Sequence, residues 1–531
     1  MLKNKNILLL FLVFLFASCF DDKGNYIYTE ISEITFENIP EKIEVLASVD
    51  NIVVAPKIIS SLEGEIKADN PNFEFTYKVE RKSGGYMGST PWVVLNPQGQ
   101  LYLITPAEFQ ANTYIVWLIV KDIRSGRETS VNFDMMVSSA TYEGWLVLCN
   151  EGPENRVRMD MVTKISSDRN EVATDIRKPL GYPESTNAYG IGFYPNIYAN
   201  PSDQIYIMGG KGTYRLDKET FKTDDSYNIF NIDFIIPPKN EKVVNYQALK
   251  IMSANFLVTE LANAYVQNLG SAGAAFELPI NTSVRGGAVE YKVSPYIGLQ
   301  QGTSGTTALF YDIDNKRFVG WAYGTYANVD GRNILTPVPD PSPAGLFSFN
   351  TGKDMVYMEG TRYSNGLVYS VLQDAQGKRS VYGINMSGAG FAQESYYENL
   401  NAPNFDKATQ FAFHSQFPYM FYSDGKKVYL HNLGTNNTFE MNVGLESSEE
   451  VTLLKFNLYK NPYLEQLNNQ SDEFMAIQYE LIVGSYNTAS TDNNGGKMSL
   501  WKVDGVNNSI SKHLEYKGFA KIKDIVYRER R

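Results

Sequence analysis

The side chains that suit catalysis or metal binding are few and scattered in this chain. Its three histidines, His414, His431 and His513, have no ligand spacing between them. Each is expected in the core or at the surface and not on a metal. The sequence contains no G-x-S-x-G elbow, H-E-x-x-H pair, phosphate loop or dinucleotide fingerprint. Gln301-Gly-Thr-Ser-Gly305 and Met208-Gly-Gly-Lys-Gly212 are rich in glycine. No helical pattern follows either, and a phosphate cradle needs a helix N-terminus, so both read as β-turns. Cys149 ends the apolar run Trp145-Leu-Val-Leu-Cys149 with no histidine nearby, and reads as a buried small hydrophobe. Glycoside hydrolysis would take two converging carboxylates. Glu151, Glu260, Glu359 and Asp424 fall at polar turns that the repeat described below places between second and third strands. On that register they share one face with Lys211, Gln301 and Arg362. These carboxylates lack an apolar setting and do not recur as a pair. The expectation is a candidate rim for a ligand or a protein partner, without catalytic residues, metal or cofactor.

Cys19 has a clearer chemistry. Lys3 and Lys5 precede an unbroken apolar run from Ile7 to Phe16, and Ala17-Ser18-Cys19 follows. Two small residues before a cysteine are what a lipoprotein signal peptidase needs, whereas an ordinary secretory signal lacks the cysteine. The run is also shorter than the roughly 20 residues of a membrane span. Residues 1–18 are therefore expected to be removed, leaving a lipidated tether over 19–29. Several acyl chains on one residue make a stable anchor, and the lipid is expected to be the only membrane attachment. With Cys19 lipidated, Cys149 has no disulfide partner.

The elements that must position the rim are strands. Short stretches rich in Val, Ile, Tyr and Phe, separated by Gly, Asn and Asp, run to the end of the chain. Residues 30–140 read as an immunoglobulin-like sandwich. Its runs include Ile34 to Phe36, Asn51 to Ala55, Phe73 to Val79 and Leu101 to Ile104. Asn112 to Val120 and Val131 to Val137 read as a hairpin with Gly126 free to take positive φ.

Residues 141–531 read as a β-propeller. The segments Thr213 to Asp217, Ala264 to Asn268, Phe310 to Asp314, Val381 to Asn385, Val428 to Asn432 and Leu500 to Asp504 share one template. It is an aromatic, any residue, a mostly apolar residue, then Asp or Asn. The aromatics stand at 214, 265, 311, 382, 429 and 501, spaced 51, 46, 71, 47 and 72 apart. Val157 to Met161 is a weaker seventh copy. Seven units about 50 residues apart favour seven blades, with six and eight left open. Ala520 to Tyr527 is expected to supply the inner strand of the first blade, beside Trp145 to Cys149. The fold class is thus all-β.

The 36 Tyr and 29 Phe among 531 residues fit pleated, half-buried surfaces. The net charge of −11, or −13 once Lys3 and Lys5 are lost with the signal, argues against nucleic acid as a partner.

Cys19-Phe-Asp-Asp-Lys-Gly-Asn-Tyr26, the sandwich end from Tyr114 to Ser138 and Glu143-Gly-Trp-Leu-Val147 resemble the PKD-like lipoproteins of Bacteroidota over most of the chain. The resemblance implies an accessory lipoprotein of a nutrient-uptake system, partnered by a SusCD-like TonB-dependent transporter and its lid lipoprotein. Asp21 and Asp22 resemble the signal that sends such proteins to the outer face of the outer membrane. The family offers no catalytic residues to carry over. The expectation is a non-catalytic binding or organising subunit for a glycan or peptide nutrient. A propeller-type glycoside hydrolase or lyase and a purely structural partner of the transporter are the alternatives.

Overall fold

The computed structural model divides into two compact units, one ending at Val137 and one running from Ser138 to Arg531. The structure describes residues 30–529 except 48–49, 83–85, 92, 95–100, 107–108, 110–111, 140, 142, 166–168, 178–183, 196–202, 219, 250–253, 269–274, 285, 300, 302–306, 323–333, 387–389, 459–474 and 476. Cys19, Asp21, Asp22 and the tether lie outside the described residues.

The first unit is built from strict alternation. In the strand Asn112–Asp122, Tyr114, Val116, Leu118 and Val120 are buried, as are Phe73, Phe75, Tyr77 and Val79 of the neighbouring strand Phe73–Arg81. Successive side chains of a strand point to opposite faces, so this pattern lines one side of the sheet with apolar groups. The sheet runs Lys42–Leu46, Glu128–Ser138, Asn112–Asp122, Phe73–Arg81, Tyr86–Pro91. Two three-stranded sheets accompany it, one starting at Ile34–Glu37 and one containing Asn51–Val54 and Leu101–Pro106. Their inward residues, Ile52, Val54 and Ile58, join the same core. Gly126 closes the hairpin at φ 69°, a conformation that costs glycine little.

The second unit contains seven antiparallel sheets among its described residues. In blade 1 the order from the inside is Lys521–Arg528, Gly144–Glu151, Arg156–Lys164, Asn170–Ala173. The last strand of the chain therefore lies innermost, with Tyr527 opposite Trp145 and Ile522 opposite Cys149. Blades 2 to 7 follow in chain order, with inner strands Ala188–Pro195, Val243–Ala248, Gly298–Leu299, Asp354–Gly360, Gln410–Phe413 and Glu449–Lys455. Lys521–Arg528 touches both Ala188–Pro195 and Glu449–Lys455, which closes the ring. Closure pairs Gly144–Glu151 on both sides, so that apolar strand is not left as a sheet edge.

Seven apolar clusters fill the spaces between neighbouring blades, one per interface. Most of the aromatic excess goes into these layers. Tyr214, Tyr265, Tyr382, Tyr429 and Trp501 of the sequence template each sit on a third strand and pack toward the preceding blade. In three of these copies the terminal Asp or Asn caps the turn that follows. Asp217 accepts from the Thr220 N–H at 2.8 Å, Asn432 from Gly434 at 2.9 Å, and Asp504 from Val506 at 2.8 Å.

The copy at Tyr311 is a correction. Thr307–Asp312 is the second strand of blade 4, and its third is Arg317–Ala322. The aromatic that packs toward blade 3 is Trp321. Gly324 follows it where the template wants Asp or Asn, so the motif matched one strand too early. With Trp321 the spacings of 46 and 71 become 56 and 61.

Five of the seven inner strands shift register against the second strand of their blade, at Lys523, Tyr189, Val244, Val356 and Thr452. Each bulge adds one residue and re-aims those after it. Burial then repeats in threes over Val243–Ala248 (buried, two half-buried, buried, two half-buried), which hides these strands from a search for alternation.

Candidate functional site

The bulged inner strands bring charge to the centre of the ring. Lys455, last residue of blade 7's inner strand, places its ammonium 2.6 Å from Asp524 Oδ1 of the closing strand and 2.7 Å from the Ile525 carbonyl. Asp524 Oδ2 accepts the N–H of Ile191 in blade 2 at 3.0 Å. On the other side of the ring Glu359, in blade 5's inner strand, accepts the N–H of Phe413 in blade 6. Polar contacts thus link blade 5 to 6 and blade 7 to 1 to 2. Space for them depends on small residues: a Cβ on Gly190 would stand 3.3 Å from Asp524 Oδ2, and one on Gly360 only 1.7 Å from the Leu299 carbonyl oxygen of blade 4.

Glu359 is strongly altered by its setting. Burial raises its carboxyl from 4.5 to about 7, against the Phe413 N–H, the Tyr357 hydroxyl and the Lys455 ammonium, which all favour the anion. Yet its side chain keeps partial exposure, so it lies deep in the propeller while still facing open space. Tyr357, two residues earlier, is raised by burial and then by the Glu359 and Asp524 carboxylates.

The seven residues read from the sequence as one rim separate into two groups. Glu151, Lys211, Glu260 and Asp424 occupy the connections between second and third strands of blades 1, 2, 3 and 6. Gln301, Glu359 and Arg362 do not: they lie on or just after the inner strands of blades 4 and 5. In an antiparallel blade the first-to-second and second-to-third connections sit at opposite ends, so one shared face is excluded for the set. Several of the carboxylates are also engaged. Glu151 pairs with Arg156 and with Arg158 at 3.1 Å. Asp424 accepts the N–H groups of Lys426 and Lys427 at 2.9 Å and the Asn404 amide at 2.8 Å. Glu260 is exposed and 3.6 Å from Lys242. Lys211 is exposed, its N–H bonded to Ser185 Oγ at 3.0 Å. Arg362 bonds Gln478 at 3.1 Å.

Sequence reasoning named Glu359 but placed it on a turn, and it passed over Lys455 and Asp524. The available signal was a charge inside an apolar strand-like segment: Ile522-Lys-Asp-Ile525, within the expected closing strand, and Leu453-Leu-Lys455.

Two of the histidines are structural. His414 Nδ1 accepts the N–H groups of Gln416 and Phe417 at 3.0 and 3.1 Å, so its Nε2 carries the proton and donates to the Tyr479 carbonyl at 3.1 Å. His431 lies 2.8 Å from Thr438 Oγ1. Burial lowers both to about 4. A base with a lowered folded pKa destabilises the fold as pH falls from the unfolded value of about 6.5 toward 4, by about 2–3 kcal/mol for each histidine. Glu359, an acid with a raised pKa, acts oppositely and costs stability as pH rises from 4.5 to 7. Thermal melts of wild type and Glu359→Gln across pH 4.5 to 7 should diverge, the variant gaining on wild type as pH rises. Parallel curves would contradict the buried setting of Glu359.

His513 contacts Glu480 at 2.9 Å. Cys149 is buried in the layer between blades 7 and 1, and its thiol is raised by that burial and by Asp160, an unreactive setting. Among the described residues no group of three or more His, Cys, Asp or Glu is arranged to hold a metal.

Solved propellers resemble the chain at low identity. A quinonprotein alcohol dehydrogenase-like protein from Bacteroides thetaiotaomicron is 11% identical with a TM-score of 0.39, over 94% of this chain and 96% of that one. The Pseudomonas aeruginosa periplasmic gluconolactonase is 12% identical with a TM-score of 0.40, over 72% and 98%. The Swd1 propeller domain of Myceliophteria thermophila is 10% identical with a TM-score of 0.40, over 68% and 98%. None of these carries its activity to this chain. No curated protein matches the chain. Residues 19–180 match the model of the PKD-like family, from Cys19 through the sandwich and past Asn170–Ala173 of blade 1.

Proposed function

We propose that the protein is a lipid-anchored subunit of an outer-membrane nutrient-uptake complex, holding a glycan or peptide, or organising its partners, at the cell surface without transforming the nutrient. The observation that carries this reading is the place where the PKD-like match begins. It starts at Cys19, the residue that follows Ala17-Ser18 and becomes the first residue of the mature chain if the signal is cleaved there. The inner ring supports a binding role, since it presents Glu359, Lys455 and Asp524 with partial exposure on a closed scaffold. The partners in this reading are a SusCD-like transporter and its lid lipoprotein.

Two experiments test it. Proteinase treatment of intact cells should digest the wild-type chain. Replacing both Asp21 and Asp22 by Ala should protect it, and Cys19→Ala should release it from the membrane fraction. Tagged wild-type protein should co-purify with a TonB-dependent transporter, and recovery as a single band would refute the partnership.

One observation favours the hydrolase or lyase alternative: Glu359, held near pH 7 by burial, and Asp524 both act on Tyr357, and two carboxyls near one centre are what glycoside hydrolysis takes. Product from a polysaccharide or peptide panel that disappears with Glu359→Gln would establish it in place of the binding reading.

A further inference from the structure

Glu359 has neutral direct partners, the Phe413 N–H and the Tyr357 hydroxyl. The nearby cation, Lys455, is held by Asp524 and the Ile525 carbonyl, so among the described residues the carboxylate has no counter-charge in contact with it. Aromatic rings border it. Tyr357 meets Tyr296 edge-on at 5.2 Å and stacks with Phe411 at 5.4 Å and with Phe413 at 6.5 Å. Phe411 and Phe413 are buried, but Tyr296 and Tyr357 keep exposed surface, unlike most of the inter-blade aromatics. A carboxylate beside partly exposed aromatic rings suits an ammonium group, which can gain an ion pair and a cation–π contact together. A neutral hydroxyl supplies neither.

On the binding-subunit reading above, we propose that the inner end of blade 5, at Glu359, Tyr357 and Tyr296, is a subsite for a protonated primary amine of the ligand. Two nutrient sources carry that group, an amino sugar and a peptide N-terminus. The groups that act on Glu359 are Tyr357 on its own strand, the Phe413 N–H of blade 6 and Lys455 of blade 7, while Tyr296 and Asp524 act on Tyr357. An ammonium bound here favours the Glu359 carboxylate over its carboxylic acid, so amine binding expels the Glu359 proton near neutral pH.

The test is calorimetry on the full-length chain in detergent, with glucosamine against N-acetylglucosamine and Ala-Ala against N-acetyl-Ala-Ala. At pH 8 one of the two amines should bind at least tenfold more tightly than its acetylated form. That affinity should drop about fourfold at pH 6, because the loss of carboxylate is partly offset by fuller protonation of an amine that is only about half charged at pH 8, with proton release from Glu359 visible at pH 6 as a buffer-dependent heat. Glu359→Gln should erase both the amine preference and its pH dependence. Equal binding of amine and acetylated forms, binding of neither amine, or a preference that survives Glu359→Gln would each overturn the subsite. Should Glu359→Gln fail to melt cooperatively, the acetylation and pH comparisons on wild type decide alone. Binding that ignores the amine would sink this subsite and leave the binding-subunit reading standing, because that reading fails by surface protection and absent co-purification.

Discussion

A chain that stops at residue 520 should lose the cooperative unfolding of the propeller altogether. The missing strand buries Ile522, Ile525, Val526 and Tyr527, and full burial of such a side chain contributes about 1.5–3 kcal/mol. Their sum, roughly 6–12 kcal/mol, equals the whole stability of an ordinary domain. Polar contacts go with it. The Tyr527 hydroxyl donates to Glu143 at 2.7 Å, and its N–H to Asn457 at 3.1 Å. Trp145 loses an edge-on ring partner at 4.8 Å. Calorimetric melting of the truncated and complete chains is the measurement. An unchanged propeller transition would show that Gly144–Glu151 does not need its inner neighbour.

The second large effect is expected at Arg158, which is almost fully buried on the third strand of blade 1. Its Nε is 2.7 Å from Asp160 Oδ1, and Nη1 is 3.1 Å from Glu151 Oε1. The same guanidinium reaches blade 7, at 2.7 Å from Asn494 Oδ1 and 3.0 Å from the Gly518 carbonyl. Asp160 is fully buried, and desolvation pushes its carboxyl up despite the guanidinium beside it. Arg158→Ala leaves that carboxylate without its counter-charge, a change that costs about 3–5 kcal/mol. Arg158→Met combined with Asp160→Asn removes both charges and should recover a good part of the loss. Denaturant midpoints at constant slope measure both variants. A loss below about 1 kcal/mol for Arg158→Ala would mean the seam between blades 7 and 1 does not depend on this pair.

What could be read from the residues followed from how local the signal was. Alternation exposed the strands of the first unit, since each of its hydrophobic faces is written two residues apart. The third strands of the propeller were legible because a bulky aromatic and a turn-capping Asp or Asn recur there. Blade 4 broke the rule by ending its third strand without the cap, and the template slid to Tyr311. The site was legible only in part. Glu359 carries no mark in sequence that separates it from Glu151 or Glu260. What distinguishes it is a bulge three residues earlier, at Val356, and neighbours such as Phe413 and Lys455 that lie 54 and 96 positions away in sequence. Neither register shifts nor such distant pairings leave a local pattern.

The placement of Lys521–Arg528 also fixes an order of events. Glu143 and Tyr527 bond across a sequence separation of 384, so blade 1 stays unfinished until the last residues of the chain are free. Contacts this distant make folding slow. Until then Gly144–Glu151 presents the backbone of an apolar strand to any other chain that can pair with it. If the chain is exported as proposed, this delay keeps the propeller from locking before the last strand has followed, and that one apolar strand needs cover in transit.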